Sequence, residues 1–218
     1  MSINVVVGLS HFNTVESFET VKAAGIVGII HKATQGNSWT DPKYHERRTQ
    51  ALAAGLWWGA YHFGQGGDGN AQAEHFLSFV SPGPHDLLAL DFETNPNGAS
   101  MTLAEAEQFV TTVQSKTGRW PGFYGGGGYL DGLIGNSHNP TLANCWFWLS
   151  DYQSTPHVPV NWPTWTMWQY TGDGLGPEPH TVEGIEGNID RDQFNGDMDG
   201  LTRLWGYDAP SSAEPTDG

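Results

Sequence analysis

Two carboxylates stand one residue apart, Asp91 and Glu93, at the end of the apolar run Leu87-Leu88-Ala89-Leu90. Residues two apart on a strand point to the same face, about 6.5 Å from one another along the backbone. Acids held that close repel, so one pKa rises, leaving one group protonated and its partner ionised at neutral pH. Glycoside cleavage asks for this division: an acid for the leaving oxygen and a carboxylate facing the developing cation. Alone, an Asp-x-Glu fits a solvated strand end or a metal site at least as well. Its surroundings weigh toward sugar. Tyr61, Tyr124, Trp148, Tyr152, Trp168 and Gln169 lie at or near the ends of other strand-like runs, and 146–170 holds five of the ten tryptophans. Sugar rings offer C–H faces to such surfaces, and their hydroxyls pair with amides and phenols. Trp148 and Trp168 are assigned to the cleft; Trp57, Trp58 and Trp146 are assigned to the core.

Other motifs carry less. Gly125-Gly126-Gly127-Gly128 follows a strand, as a phosphate loop would, but continues into Tyr129-Leu130-Asp131 without the required Lys-Ser/Thr, so a flexible turn beside the cleft is expected. The segment from Asn195 to Gly200 opens like a calcium loop, yet Gly206 stands where the bidentate Glu belongs. The plainer role there is capping of the last helix by Asp197. The nine histidines show no ligand spacing, so no metal and no cofactor is expected. His11 and His62, at strand ends, are expected to hydrogen-bond within the cleft. Cys145 is alone and lies in an aromatic run, which marks it as a buried core thiol.

Elements that could position these groups follow from periodicity. Apolar runs predict strands over 3–9, 26–31, 56–63, 87–92 and 122–124. Between them, helical spacing covers 14–24, 41–54, 70–80 and 102–116. Gly25 and Gly55 close the first two helices, and Thr102 with Glu105 forms a capping box on the fourth. Strand–helix alternation means βα units and a parallel sheet. Further on the helices fade. Short strands are expected over 146–149, 166–170 and 187–189, and a closing helix over 198–205. Eight strands point to an α/β barrel, with a doubly wound sheet as the other arrangement. Barrel chemistry belongs at the C-terminal ends of the strands, where Asp91 and Glu93 fall. Residues 1–206 form one domain, and 207–218 read as a disordered acidic tail or the start of a linker.

Composition restricts the partners. Lys and Arg number 9 against 24 Asp and Glu, a formal charge of −15, and charged residues make up 15% of the chain. Typical soluble proteins carry about 25%. The acidity therefore comes from a lack of bases. No basic stripe is available for nucleic acid, and none for an anionic membrane surface. A monomer is expected. The first residues, Met-Ser-Ile-Asn-Val-Val-Val, lack the features of a signal peptide, so action outside the cell would need phage-type release or a place in a larger secreted protein.

Taken in order, Leu9-Ser10-His11-Phe12-Asn13, His31-Lys32-Ala33-Thr34-Gln35-Gly36, Gly59-Ala60-Tyr61-His62-Phe63, Asp91-Phe92-Glu93, Trp168-Gln169-Tyr170, Gly187-Asn188-Ile189-Asp190 and Phe194-Asn195-Gly196 resemble glycoside hydrolase family 25, the Chalaropsis-type lysozymes or N-acetylmuramidases. The resemblance spans about residues 3–205. It implies an irregular TIM-like barrel, (β/α)5 followed by three strands. It also implies cleavage of the β-1,4 bond between N-acetylmuramic acid and N-acetylglucosamine in peptidoglycan, with retention. Carried over, Glu93 is the general acid/base. Asp91 orients the substrate's 2-acetamido group or acts on the anomeric carbon itself, and Asp190 is a third carboxylate. Tyr61, Tyr124, Trp148, Tyr152, Trp168, Gln169, Lys32 and His11 are the implied substrate contacts.

Two positions depart from that pattern. Gly8 stands where the family's first strand places an aspartate, and Gln35 stands where it places a glutamate. Fewer neighbouring charges lower the pKa of the acids that remain, so an acid-shifted or weakened activity is expected. The strong form of that expectation is a glycan-binding protein without turnover. A glycosidase for another N-acetylated glycan is a further reading.

Overall fold

The computed structural model describes residues 1–135 and 137–207. In chain order the elements are β1 (Ile3–Leu9), α1 (Phe18–Ala23), β2 (Gly28–Gln35), β3 (Trp39–Thr40), α2 (Tyr44–Ala53), β4 (Trp57–Phe63), α3 (Gly69–Val80), β5 (Leu87–Asp91), α4 (Leu103–Thr117), β6 (Gly122–Gly126), α5 (Gly127–Ile134), β7 (Trp146–Ser150), β8 (Met167–Thr171), β9 (Asp190–Phe194) and α6 (Met198–Leu204). The sheet runs β1-β9-β8-β7-β6-β5-β4-β2-β3, and β1 also pairs with β2. That extra pairing closes eight strands into a barrel, with β3 as a short antiparallel addition on β2. The expected irregular barrel, rather than a doubly wound sheet, is what forms.

Helix starts follow local chemistry. Ser17 accepts from the Thr20 N–H, Asp68 from Asn70 and Ala71, and Asp197 from Gly200. Thr102 and Glu105 form the reciprocal capping box. Gly25 and Gly55 follow their helices at φ 92° and 76°, where a side chain would strain the left-handed turn. The first two helices begin later than periodicity predicts. Val15 instead bridges to Ile185, and Asp41 turns the chain by accepting the Lys43 N–H at 2.9 Å.

Two expectations need correction. The last strand is Asp190–Phe194 and not 187–189, and it runs antiparallel to both β8 and β1. Its inward residues are Asp190, Asp192 and Phe194, so no apolar run announces it; Gly187, at φ 74°, is in the preceding turn. The glycine run is not a flexible turn either, because Gly127 opens α5. A β-carbon on Gly127 would overlap the His157 carbonyl, so close backbone approach, rather than mobility, selects glycine there. The predicted tail from residue 208 onward lies outside the described residues. Tyr207 stacks on His85 at 4.1 Å and packs against Trp57 at 5.2 Å.

The core has two shells. The outer one lies between barrel and helices and includes Trp58, Phe76, Phe92, Phe109, Phe123, Cys145, Phe147, Trp162 and Trp168. The inner one fills the barrel with Val6, Ile30, Leu87, Ala89, Tyr124, Trp148, Met167, Phe194 and Trp205, joined by Trp57, Tyr61 and Trp146. Small residues make room for the indoles. A β-carbon on Gly28 would sit 3.0 Å from the Trp205 ring, and one on Gly122 would overlap Trp146. Trp205 plugs the lower end, where its indole N–H donates to the Trp58 carbonyl at 2.9 Å. We expect Gly122→Ala to displace Trp146 and destabilise the fold by about 1–3 kcal/mol, the usual range for overpacking, measured by urea denaturation.

Candidate active site

The upper rim of the barrel gathers the C-terminal ends of the parallel strands. Because β9 runs the other way, its first residue, Asp190, reaches that same rim. Asp91 ends β5, and Glu93 follows two residues on with its side chain on the same inward face. Phe92 between them turns outward against Phe123. The three acids line one pocket of about 380 Å³ with Gly8, Tyr61, Tyr124, Trp148 and Gln169. Gly8 is the register partner of Asp190, and a β-carbon on it would stand 3.2 Å from that of Asp190. Gln169 Nε2 donates to the Tyr152 hydroxyl at 2.8 Å. Gly172 supports this wall: a β-carbon there would lie 2.6 Å from the Tyr152 hydroxyl, 2.7 Å from Asp190 Oδ1 and 3.0 Å from Gln169 Nε2.

A wider groove of about 1140 Å³ meets the pocket at Glu93. Phe12, Lys32, Gln35, Phe63, Asn95, Tyr129 and Ser150 are among its walls. Lys32 donates to Gln35 Oε1 at 2.7 Å, and its ammonium lies over the Phe63 and Trp39 rings at 4.8 and 5.2 Å. Loop residues 10–13 are anchored from below by Arg47, which donates to the Ser10 carbonyl at 2.7 Å. Burial lowers His31 to about 4, so it stays neutral: Nδ1–H donates to the Lys32 carbonyl at 2.6 Å and Nε2 accepts from Arg47 at 3.1 Å. Phe12 on that loop is 82% exposed, an aromatic face open to the groove.

The electrostatics follow from enclosure. Burial is the largest cause raising Asp91, Glu93 and Asp190. Asp91 rises furthest. It is fully enclosed, faces the Glu93 charge, and leaves Oδ1 without a partner. Burial also raises Glu93, with its Asp91 neighbour and the Lys32 ammonium acting the other way. Burial and mutual charge thus favour protonated forms of the pair, which titrates as a unit. Asp190 is pushed up to about 7 by burial and then by the Asp173 and Glu93 charges. Tyr61 and Tyr124 are raised well above 10 by burial and the nearby carboxylates, so both remain hydrogen-bonding phenols.

Some candidate residues fall elsewhere. Strand parity turns Gln169 inward and Trp168 outward; Trp168 is 7% exposed in the outer shell and donates to the Asp151 carbonyl at 2.6 Å. His11 is not in the pocket wall. It pairs with Asp41 at 3.0 Å and backs Phe12 at 4.0 Å. His62 is buried under the barrel wall between Thr34 and Gln72, at 2.7 and 3.1 Å, and does not reach the cleft. Sequence reasoning missed Phe12, Phe63, Asn95 and Tyr129 as groove residues, and Asp192 below the pocket. For Asp192 the signal was present: it stands two residues after Asp190, as Glu93 does after Asp91.

A closed βα barrel with paired acids at its upper rim, ringed by phenols, an indole and an amide, is the architecture of a glycosidase. The chain belongs to family 25 of the glycosyl hydrolases, whose model matches residues 7–178. Among curated proteins it is 32% identical to Lysozyme M1 of Streptomyces globisporus, over 91% of this chain and 70% of that protein. It is 30% identical to the N,O-diacetylmuramidase of a Chalaropsis species, over 74% of this chain and 84% of that one. The crystal structure of a lysozyme from Streptomyces coelicolor superposes with a TM-score of 0.83 at 30% identity, covering 94% of this chain and 97% of the other.

Asp190 offers a stability test of the site's electrostatics. Its folded pKa of about 7 exceeds the ordinary 3.8, so between those values the folded state holds a proton that the unfolded state has released. Stability therefore falls as pH rises through that window. We expect Asp190→Asn to raise Tm by several degrees at pH 8, with the gain vanishing toward pH 4, measured by thermal denaturation across pH.

Proposed function

We propose that the protein is a peptidoglycan hydrolase, an N-acetylmuramidase that cleaves the β-1,4 bond between N-acetylmuramic acid and N-acetylglucosamine with retention of configuration. The observation that carries this reading is the enclosed acid pair Asp91 and Glu93 at the junction of an aromatic pocket and an open groove. The sugar that keeps the anomeric carbon sits in the pocket, over Trp148 and between Tyr61 and Tyr124. The departing sugar lies in the groove beyond Glu93.

The pair's proton passes through Glu93 to the glycosidic oxygen as the bond breaks, leaving Asp91 ionised, and that oxygen leaves as a hydroxyl. Asp91 aligns the substrate's 2-acetamido group, whose carbonyl oxygen closes onto the anomeric carbon from the opposite face. Direct attack by Asp91 is the other route that reaches the same product. Water entering from the groove is deprotonated by Glu93, and its hydroxyl adds to the anomeric carbon from the first face, restoring the acid and the configuration. Asp190 and the Tyr152–Gln169 pair hold the far side of the ring. The substrate places the action at the cell wall, outside the cell.

Turnover and binding separate in one assay. Purified protein incubated with peptidoglycan should release new reducing ends, and Glu93→Gln should lower that rate by about 10²–10⁴-fold, the usual worth of a general acid. Binding without release by the unmodified protein would instead favour a glycan-binding role, the reading that Gly8 invites. The same assay run across pH should give an optimum below 7. The dyad's shared proton is lost on the alkaline side, and Asp190 acquires its charge near 7; an optimum above 7 would count against this assignment of protons.

A further inference from the structure

A fourth acid lies beneath the catalytic pocket and takes no part in the steps above. Asp192 follows Asp190 by two residues on β9, so both project into the barrel. Its exposure is 0%. Oδ1 accepts the indole N–H of Trp148 at 2.6 Å, while Oδ2 has no protein partner. The neighbouring strands bring no cation to it: its register partners are Val6 on β1 and Gln169 on β8, and the one other acid acting on it is Asp190. Trp148 in turn stands edge-on to Tyr124 at 4.8 Å and to Tyr61 at 6.3 Å. Those three rings are the aromatic lining of the pocket that holds Asp91 and Glu93.

An indole N–H inside a barrel must find an acceptor, and the acceptor fixes the ring's tilt. We propose that Asp192 is a positioning residue for the glycosidase: it clamps the Trp148 indole, and through that ring sets the Tyr61–Tyr124 cup that seats the sugar beside Asp91 and Glu93. This rests on reading the pocket as the hydrolytic site. Burial pushes the Asp192 carboxyl well above the ordinary range; the Trp148 hydrogen bond works the other way, and the Asp190 charge adds a smaller rise. With burial favouring the neutral carboxyl, Oδ1 serves as a carbonyl-type acceptor for the indole N–H. An amide has the same shape and the same acceptor, whereas an aliphatic side chain of similar size does not.

The test compares Asp192→Asn, Asp192→Leu, Trp148→Phe and the Leu/Phe double variant. Each is assayed for kcat and KM on soluble peptidoglycan fragments, for its pH profile, and for tryptophan emission and acrylamide quenching. Loss of the clamp should cost Asp192→Leu about 10–100-fold in kcat/KM, the scale set by small misplacements of a reacting ring. The Trp148 contribution to the emission should become more quenchable. Asp192→Asn should restore most of the rate with the pH profile unmoved, and the double variant should lose no more than Trp148→Phe alone. If Asp192→Leu does not fold, the comparison of Asp192→Asn with Trp148→Phe still decides, since only the second breaks the bond. The inference is overturned if Asp192→Leu keeps both rate and emission, or if Asp192→Asn is as damaged as Asp192→Leu with a shifted pH profile, which would make the charge the working feature. If the unmodified protein releases no reducing ends, the hydrolytic reading fails by itself; the emission and quenching of Asp192→Leu then still decide whether the clamp exists.

Discussion

Closing eight strands into a barrel creates an axis that has to be filled, and the filling governs everything above it. Here the lower axis is filled by indoles. Trp57, Trp146 and Trp205 take that space, with Trp148 forming the layer next to the pocket. The inward small residues Gly28, Gly122 and Ala89 leave room for these rings. Large rings beside glycines interdigitate at interior density in a way that uniform mid-sized side chains do not. The result is a largely apolar plug ending just under the upper rim, with Asp192 set into it beside Trp148. Three carboxylates are set on top of it, and burial is the first cause of the rise in each. Packing at the bottom of the barrel and protonation at its top are thus one design.

That account also reassigns the tryptophans. Of the ten, four line the barrel interior, five belong to or pack on the outer shell, and Trp39 is the exposed one at 37%. A high aromatic content here is chiefly a solution to filling two shells around one sheet. The aromatic side chains lining the pocket and groove are fewer: Tyr61, Tyr124 and Trp148 at the pocket, and Phe12, Phe63 and Tyr129 along the groove.

Much of this was legible in the chain. The strands from β1 to β8, apart from the two-residue β3, follow from apolar runs, and the helices from capping residues and glycine stops, because each is decided locally. The rest depends on long-range facts. β9 is hidden since its inward face is acidic, and that makes sense only once Asp190 is seen to reach the rim and Asp192 to find Trp148. α5 is hidden since helix propensity argues against its three glycines, a preference overruled at Gly127 by the close His157 backbone. Trp168 and Gln169 differ by one position, and parity on β8 decides which faces the pocket. The support of loop 10–13 by Arg47 spans 37 residues of sequence and leaves no local pattern.

The departures at Gly8 and Gln35 gain a physical meaning from this geometry. Lys32 is the cation acting on both Asp91 and Glu93, lowering each against the pull of burial. Its hydrogen-bond partner, Gln35, is neutral, so the acids acting on the ammonium are Asp91, Asp41 and Glu93. At Gly8 a carboxylate would stand beside Asp190, whose pKa already reaches about 7 with the charges present. A fourth acid there would raise it further and add a second unpaired charge over the plug. With glycine at 8 and glutamine at 35, one cation balances a three-acid cluster that carries a proton of its own. With no carboxylate at positions 8 and 35, the Asp91–Glu93 pair sits beside one cation, and Asp190 is the third acid of the pocket.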